Sequence, residues 1–231
     1  MSVVNWQSAG LSLLFPNQCL YCGAPLWFQS PDLCDKCIEA LEKVPSGYYS
    51  IYKSNIADPH FDSVLIAFSY SAIIQELFEK MKYQGQKELA KLAGKLAGQI
   101  LGEHLSDVPV FIPVPLHIRK ERQRGYNQAS LIAHGLTSIN DGAVLHAVSR
   151  IKNTVSQTTL DRDQRIDNMA NVFRIRKKFK EDIKRARVLY LVDDVITTGA
   201  TINELARTIR KITEAKIIAL AVASPIIKDF Y

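Results

Sequence analysis

The sequence predicts an α/β fold, a parallel sheet flanked by helices, with a small metal-binding module ahead of it. Three observations carry that reading. From residue 60 onward, apolar runs of strand length alternate with segments of helical period, the pattern of repeated βαβ units. Two of the runs, 188–192 and 217–222, are apolar at every position, as strands buried on both faces are. All four cysteines, finally, fall within nineteen residues near the N-terminus. A chain of 231 residues with 47% hydrophobic content can bury one good core and a small appendage.

The elements follow in order. Residues 1–50 form the first unit. Trp6, Leu11, Leu14 and Phe15 suit a short amphipathic segment, and the cysteines then read C-x₂-C-x₁₁-C-x₂-C at Cys19, Cys22, Cys34 and Cys37. Two close pairs across a short insert let four thiolates converge on Zn²⁺, and Gly23 suits the tight knuckle turn after Cys22. Two disulfides are the other pairing this spacing allows, in an oxidising compartment. So small a unit has little core, and metal supplies much of its folding energy. Pro45-Ser46-Gly47 ends it. A strand over 64–70 follows, then helices over 72–83 (apolar face Ile73, Leu77, Phe78, Met81) and 87–104. The next elements are a strand over 110–114, a helix over 126–136 and a strand over 143–148. After the run at 188–192, a helix starts at Thr201 with Ile202, Leu205, Ala206, Ile209 and Ile212 on one face, and the run at 217–222 closes a βαβ unit.

The densest chemistry lies in that unit. The strand delivers two adjacent carboxylates, Asp193 and Asp194, and a small-residue loop, Thr197-Thr198-Gly199-Ala200-Thr201, leads into the helix. Backbone N–H groups, hydroxyls and a flexible glycine at a helix N-terminus favour a phosphate. Paired acids just before it suit a ligand that carries hydroxyls as well. The same residues also suit an ordinary capped turn. Neither G-x-x-x-x-G-K-[ST] nor G-x-G-x-x-G occurs in the chain.

Three further polar stretches stand out. Pro113-Val114-Pro115 ends a strand ahead of Arg119, Lys120, Arg122 and Arg124, a rigid turn beside arginine forks that match phosphate oxygens, or else a solvated helix face. Residues 150–173 hold R-x₃-T-x₂-Q-x₂-L, then Arg165 and Asn168, either a mobile flap or a plain surface loop. Residues 174–187 carry eight basic side chains and two acids, Glu181 and Asp182. Over the whole chain lysine plus arginine number 29 and aspartate plus glutamate 23, a net +6 compatible with phosphate-rich partners. No apolar stretch approaches the ~20 residues that cross a bilayer, and the N-terminus lacks a basic leader with a cleavage site, so a cytoplasmic protein without membrane insertion is expected.

The stretch at 188–201 resembles the phosphoribosyl-pyrophosphate (PRPP) signature of type I phosphoribosyltransferases: apolar strand, two acids, two apolar residues, T-T-G-x-T. The resemblance implies a type I phosphoribosyltransferase-like sheet over 60–231. It also implies that Asp193 and Asp194 accept hydrogen bonds from the ribose hydroxyls, that Thr197, Thr198, Gly199, Ala200 and Thr201 wrap the 5′-phosphate, and that Mg²⁺ arrives with bound PRPP. Over nearly its full length the chain is similar to the ComF family. The four-cysteine knuckle precedes M-K-Y at 81–83, P-V-P at 113–115, R-x-R-G-Y-N-Q at 122–128, T-x₂-Q-x₂-L at 154–160 and R-x₂-N at 165–168. That similarity implies a PRPP-binding protein of DNA uptake in natural transformation, handling single-stranded DNA at the inner face of the cytoplasmic membrane with the competence helicase and other DNA-processing proteins. It implies a diphosphate loop from Lys82, Pro113, Val114, Pro115, Arg119 and Arg124, and a flexible loop with Gln157, Arg165 and Asn168.

Two functions are compatible with these residues. In one the protein is a Mg²⁺-dependent transferase moving ribose 5-phosphate from PRPP to an acceptor, with Arg119, Arg124 and Lys82 stabilising the departing diphosphate. In the other the PRPP site sits on a DNA-binding module whose basic residues at 119–124 and 174–187, with Tyr126, Phe173 and Phe179, track a strand by charge and stacking.

Overall fold

Five parallel strands form the centre of the molecule, in the spatial order β3 (Ser63–Ser69), β9 (Lys216–Ser224), β8 (Val188–Val195), β4 (Val110–Pro113) and β5 (Ala143–Val144). The computed structural model describes residues 17–26, 33–44, 58–152 and 171–225. In chain order the described elements are β1 (Asn17–Gln18), β2 (Pro25–Leu26), α1 (Asp35–Glu39), β3 (Ser63–Ser69), α2 (Ala72–Tyr83), α3 (Lys87–Leu101), β4 (Val110–Pro113), α4 (Ile118–Arg124) and α5 (Gln128–Thr137). They continue with β5 (Ala143–Val144), β6 (Val148–Arg150), β7 (Phe173–Ile175), α6 (Lys180–Arg185), β8 (Val188–Val195), α7 (Ala200–Arg210) and β9 (Lys216–Ser224). The α/β class expected from the alternating runs is the observed one.

The sheet is covered on both faces. Ile73, Ile74, Leu77 and Phe78 of α2, Leu89 and Ala97 of α3 and Ile132 and Leu136 of α5 bury one face. Ile202, Leu205, Ala206 and Ile209 of α7, with Ile183 of α6, bury the other. Each such Leu or Ile contributes roughly 1.5–3 kcal/mol relative to exposure. Helices α3 and α5 approach until their backbones touch. A Cβ on Gly94 would meet the Ile132 carbonyl at 2.0 Å, and one on Gly135 the Lys91 carbonyl at 2.1 Å. Only glycine fits at either position.

The described part of the N-terminal unit shares this core. Cys19, Leu26, Leu33, Cys37 and Leu41 pack in the same apolar cluster as α2 and α3. The chain at 42–44 docks on the free edge of β3, Ser69 N donating to Glu42 O and Val44 N to Ala67 O. A unit too small to bury its own apolar residues thus buries them against the larger body.

Three boundaries differ from the expected ones. The strand expected over 143–148 is two strands. β5 pairs with β4, and β6 pairs antiparallel with β7. After Leu145 N donates to Phe111 O, the next residues of β4's edge are Pro113 and Pro115, without N–H groups, and the chain leaves the sheet. The basic run is a helix of its own, α4, closed by Gly125 at φ +83°, and Asn127 starts α5 by accepting from Ala129 N at 3.0 Å. The helix expected to reach residue 104 is α-helical to Leu101 and ends in one 3₁₀ turn. Among the described residues, no helix is long and apolar enough to cross a membrane.

Adjacent strands β8 and β4 send their helices to opposite faces, α7 to one and α5 to the other. A crevice opens there at the strands' carboxyl ends, where α/β sheets hold ligands.

Candidate functional site: an acid-bearing cleft at the end of β8

The apolar run of β8 carries the chain through the buried sheet and ends on Asp193 and Asp194 at its carboxyl edge. The two acids have different surroundings. Asp194 is buried: its Oδ2 lies 2.8 Å from Lys82 Nζ and accepts from Gln128 Nε2 at 3.4 Å, while its Oδ1 accepts from Val195 N at 2.8 Å. Arg124 extends the chain of contacts, donating to Gln128 Oε1. Asp193 is half-buried, and its Oδ1 accepts from Asp194 N at 2.9 Å.

Electrostatics follow that geometry. Burial, then the neighbouring Asp194 charge, holds the Asp193 carboxyl well above the usual carboxylate range. Burial would raise Asp194 as well, but the Lys82 ammonium outweighs it and holds that carboxyl below its ordinary value. For Lys82 burial works against the charge, and the attraction of Asp194 overrides it, raising the pKa. The pair is thus an ionised acid locked to a cation beside a second acid that ionises reluctantly.

The acids, Lys82, Tyr70, Pro225 and the loop at 195–202 line a cleft of about 340 Å³. Gly199 takes φ +74°, a left-handed turn that reverses the chain into α7, and Ile202 anchors the helix in the core. Thr197 and Thr198 are exposed at the cleft rim. Backbone amides at this helix N-terminus and the threonine hydroxyls offer donors; the carboxylates offer acceptors. Such a site can hold a ligand with a phosphate at one end and hydroxyls at the other.

The loop residues expected from sequence are therefore together, and Lys82 joins them at the acids. Pro113, Val114 and Pro115 form the adjoining turn, where Val114 N donates to Val192 O and Asn127 Nδ2 to Val114 O. Arg124 reaches the acids only through Gln128. Arg119 is exposed on α4 and does not line the cleft. Gln157, Arg165 and Asn168, like Trp6, Leu11, Leu14 and Phe15, lie outside the described residues. Gln128, Tyr70 and Arg150 stand at or near the acids without a role that spacing or residue type predicts. Arg150 is close enough for Asp193 to support its charge against burial. Gln128 and Arg150 belong to quoted motifs, and that was their only signal; Tyr70 had none.

The expected stacking aromatics are not available as expected. Tyr126 is buried with its hydroxyl donating to Met81 O, and Phe173 is buried beneath Arg150. Phe179 packs half-buried against the core. Their faces are used by the fold, packed against the protein rather than open to solvent. Tyr83, 80% exposed beside Lys82, is the large open aromatic among the described residues.

The four cysteines form a separate, closed centre. Their Sγ atoms all lie within 4.8 Å of one another, with Cys19–Cys37 and Cys22–Cys34 at 3.7 Å. Tetrahedral Zn²⁺ with bonds of ~2.3 Å needs sulfurs about 3.8 Å apart, whereas a disulfide needs ~2.05 Å. The thiols are unbridged. Burial would push the Cys19 thiol up, but hydrogen bonding from the backbone of Cys22, Cys34 and Tyr21 brings it to about 6. Four converging sulfurs, one already favouring thiolate, suit a structural metal such as zinc.

The chain is similar to known proteins over most of its length. The chain is 31% identical over 214 residues to competence protein F of Haemophilus influenzae, covering 86% of this chain and 93% of that protein. The chain belongs to the ComF family. Identity to the DNA utilization protein YhgH of Escherichia coli is 24% over 212 residues, 84% of this chain and 91% of that one. Identity to competence protein ComFC of Bacillus subtilis is 26% over 152 residues, 63% and 59%. No protein-family model matches the chain.

Proposed function

We infer that this ComF protein binds PRPP in the cleft at Asp193 and Asp194 and serves DNA uptake by handling single-stranded DNA. One observation carries the ligand: a carboxylate pair, the lysine that holds it and a T-T-G-A-T loop at a helix N-terminus line one 340 Å³ cleft. In this reading Asp193, the less engaged acid, accepts from the ribose hydroxyls, and Asp194 keeps Lys82 beside the diphosphate. The amides and hydroxyls of Thr197, Thr198, Gly199, Ala200 and Thr201 receive the 5′-phosphate. Arg124 and the turn Pro113-Val114-Pro115 border the diphosphate, with Arg119 supplying charge from outside. Mg²⁺ accompanies PRPP and neutralises diphosphate oxygens. Gln157, Arg165 and Asn168 belong to the flexible loop of this reading. Residues 1–50 act as the zinc module and 60–231 as the phosphoribosyltransferase-like domain. The names competence protein and DNA utilization protein support a DNA role. The basic faces at 119–124 and 174–187 supply its charge, and the competence helicase at the inner membrane face is the partner this role calls for.

Titration of PRPP with Mg²⁺ tests the reading. Binding should weaken about a hundredfold or more in Asp193→Asn/Asp194→Asn, since several charge-assisted hydrogen bonds go at once. Equal binding in the double variant rejects the site. Metal analysis of purified protein should find about one zinc per chain, lost in Cys22→Ser; a metal-free native protein rejects the Cys₄ centre.

A transferase is the second reading, favoured by one observation: an aromatic side chain, Tyr70, lines the same cleft as the acids, where a flat acceptor could pack. Diphosphate release from PRPP upon adding a base or nucleoside, abolished by Asp193→Asn, is the expected result. Silence across a broad acceptor panel with PRPP binding intact removes it.

A further inference from the structure

The end of α2 is fastened at three consecutive residues, each to a different part of the molecule. Lys80 Nζ donates to Leu20 O, the carbonyl between Cys19 and Cys22, and pairs with Glu76 Oε1 at 2.9 Å. Met81 is fully buried, and its carbonyl accepts from the Tyr126 hydroxyl. Lys82 Nζ lies 2.8 Å from Asp194 Oδ2 in the acid-bearing cleft. Successive residues of a helix point about 100° apart, so a single turn reaches the cysteine unit, the segment after α4 and the acids.

The partners of these residues are themselves anchored. Leu20 stands between two of the converging thiols, in a knuckle where Gly23 N donates to Cys19 O at 2.9 Å and Cys19 N to Ala24 O at 2.8 Å. Whatever holds the Cys19 and Cys22 sulfurs therefore holds the Leu20 carbonyl. Cys19, Leu33 and Cys37 also share one apolar cluster with Phe78 and Met81 of α2. On the other side, Tyr126 is two residues from Gln128, which donates to Asp194. Tyr126 also lines a second cleft, of about 350 Å³, together with Pro113, Pro115, Glu121, His146, Arg150 and Arg176. The turn that carries it thus stands between the two clefts. Lys80 is largely buried, so its ammonium exchanges water for two acceptors, and releasing either one is costly.

We propose that Lys80 is a positioning residue that couples the cysteine centre to the acid-bearing cleft. With metal on the thiols, the knuckle carbonyl fixes the end of α2, and that end holds Lys82 on Asp194, ready for an anionic ligand. The identity of that ligand rests on the PRPP reading above; the coupling of the two centres does not. Metal at one end and ligand at the other favour the same position of α2. By linkage, each then raises the affinity for the other by the same factor.

Zinc affinity, read by competition with a chromogenic chelator, and PRPP titration with Mg²⁺ test it on the full zinc-loaded chain. In the wild type, saturating PRPP should raise zinc affinity about fivefold or more. Lys80→Met keeps the aliphatic stem and removes the donor. It should bind PRPP about fivefold more weakly and abolish the effect of PRPP on zinc affinity. Lys80→Arg, which keeps a cationic donor, should restore both. Should Lys80 serve only the fold, Lys80→Met would lower the unfolding midpoint and leave the effect of PRPP on zinc intact, which overturns the proposal. A second measurement needs no PRPP. Asp194→Asn alters the cleft and frees Lys82; it should weaken zinc about threefold in the wild type and add nothing in Lys80→Met, as for two residues on one path. Additive effects in that cycle, zinc affinity indifferent to Asp194→Asn, or PRPP that binds the wild type without changing its zinc affinity each overturn the proposal. A wild type that binds no PRPP yet shows the non-additive cycle would remove the PRPP reading alone and keep the coupling.

Discussion

The proline turn after β4 lines the second of two clefts and adjoins the first, yet the two are built on opposite principles. The first is stitched into the fold: Asp194 is buried, and Lys82 from α2, Gln128 from α5 and Val195 from β8 all converge on it. The second hangs on the surface, with Arg176 exposed just past the end of β7 and Ile118 open to solvent. In the first, opposite charges satisfy one another before any ligand arrives, and the remaining acid pays in ionisation. In the second, Arg150, Arg176 and His146 meet Glu121 at a rim open to solvent. A preorganised pair fixes geometry, whereas long side chains at an open rim leave shape undetermined.

That contrast is open to direct attack. Lys82→Met should cause the largest loss, on the order of 3 kcal/mol in urea unfolding, because it leaves a buried carboxylate without its cation. Asp194→Asn on top should recover part of the loss. If Lys82→Met unfolds at the wild-type midpoint, the first cleft is no more integral to the fold than the second. Gly135 lies outside both clefts and calibrates the scale: Gly135→Ala should cost about 1–3 kcal/mol by forcing α3 and α5 apart.

Asp193→Asn should have a smaller effect with the reverse sign. Its folded-state pKa is raised, so the folded form holds the proton more tightly than the unfolded chain does. Stability from this group is therefore full below the unfolded value of about 3.9 and is lost as pH rises through the folded pKa. At pH 7 the asparagine variant should melt a few degrees higher than wild type, and the gain should vanish in acid. Asp194, with its pKa lowered, works the opposite way: its contribution is present above the unfolded value and lost as pH falls through the folded one. Thermal melts from pH 3 to 8 separate the two. Smallest of all, Arg176→Glu should change stability by no more than about 0.5 kcal/mol, the ordinary result for a surface change. A marked loss there would mean that the arginine holds the hairpin.

Local chemistry was readable without coordinates. The four cysteines are close in sequence, so their spacing alone predicted convergence, and the sulfurs lie at distances that suit a tetrahedral metal. The acids and the T-T-G-A-T loop are also contiguous, and an all-apolar strand before a helical period places such a loop at a sheet edge. Long-range partners were another matter. Lys82 appeared as a diphosphate residue, but its position against Asp194 depends on how α2 crosses β8. Gln128 appeared only as a motif letter. Tyr126 and Phe173, read as stacking platforms, are core residues, because an aromatic beside arginines looks the same in sequence whether its ring faces solvent or protein.

Sequence alone was enough for the fold class, the convergence of the four cysteines and the contiguity of the two acids with the T-T-G-A-T loop. Each depends on residues within one turn or one strand, where covalent geometry fixes who meets whom. Tertiary structure alone decided which acid is locked and which is accessible, and it brought Arg150, Arg176 and His146 into one cationic cleft. Those outcomes depend on strand order and helix crossing, which place side chains from distant segments in a shared low-dielectric space.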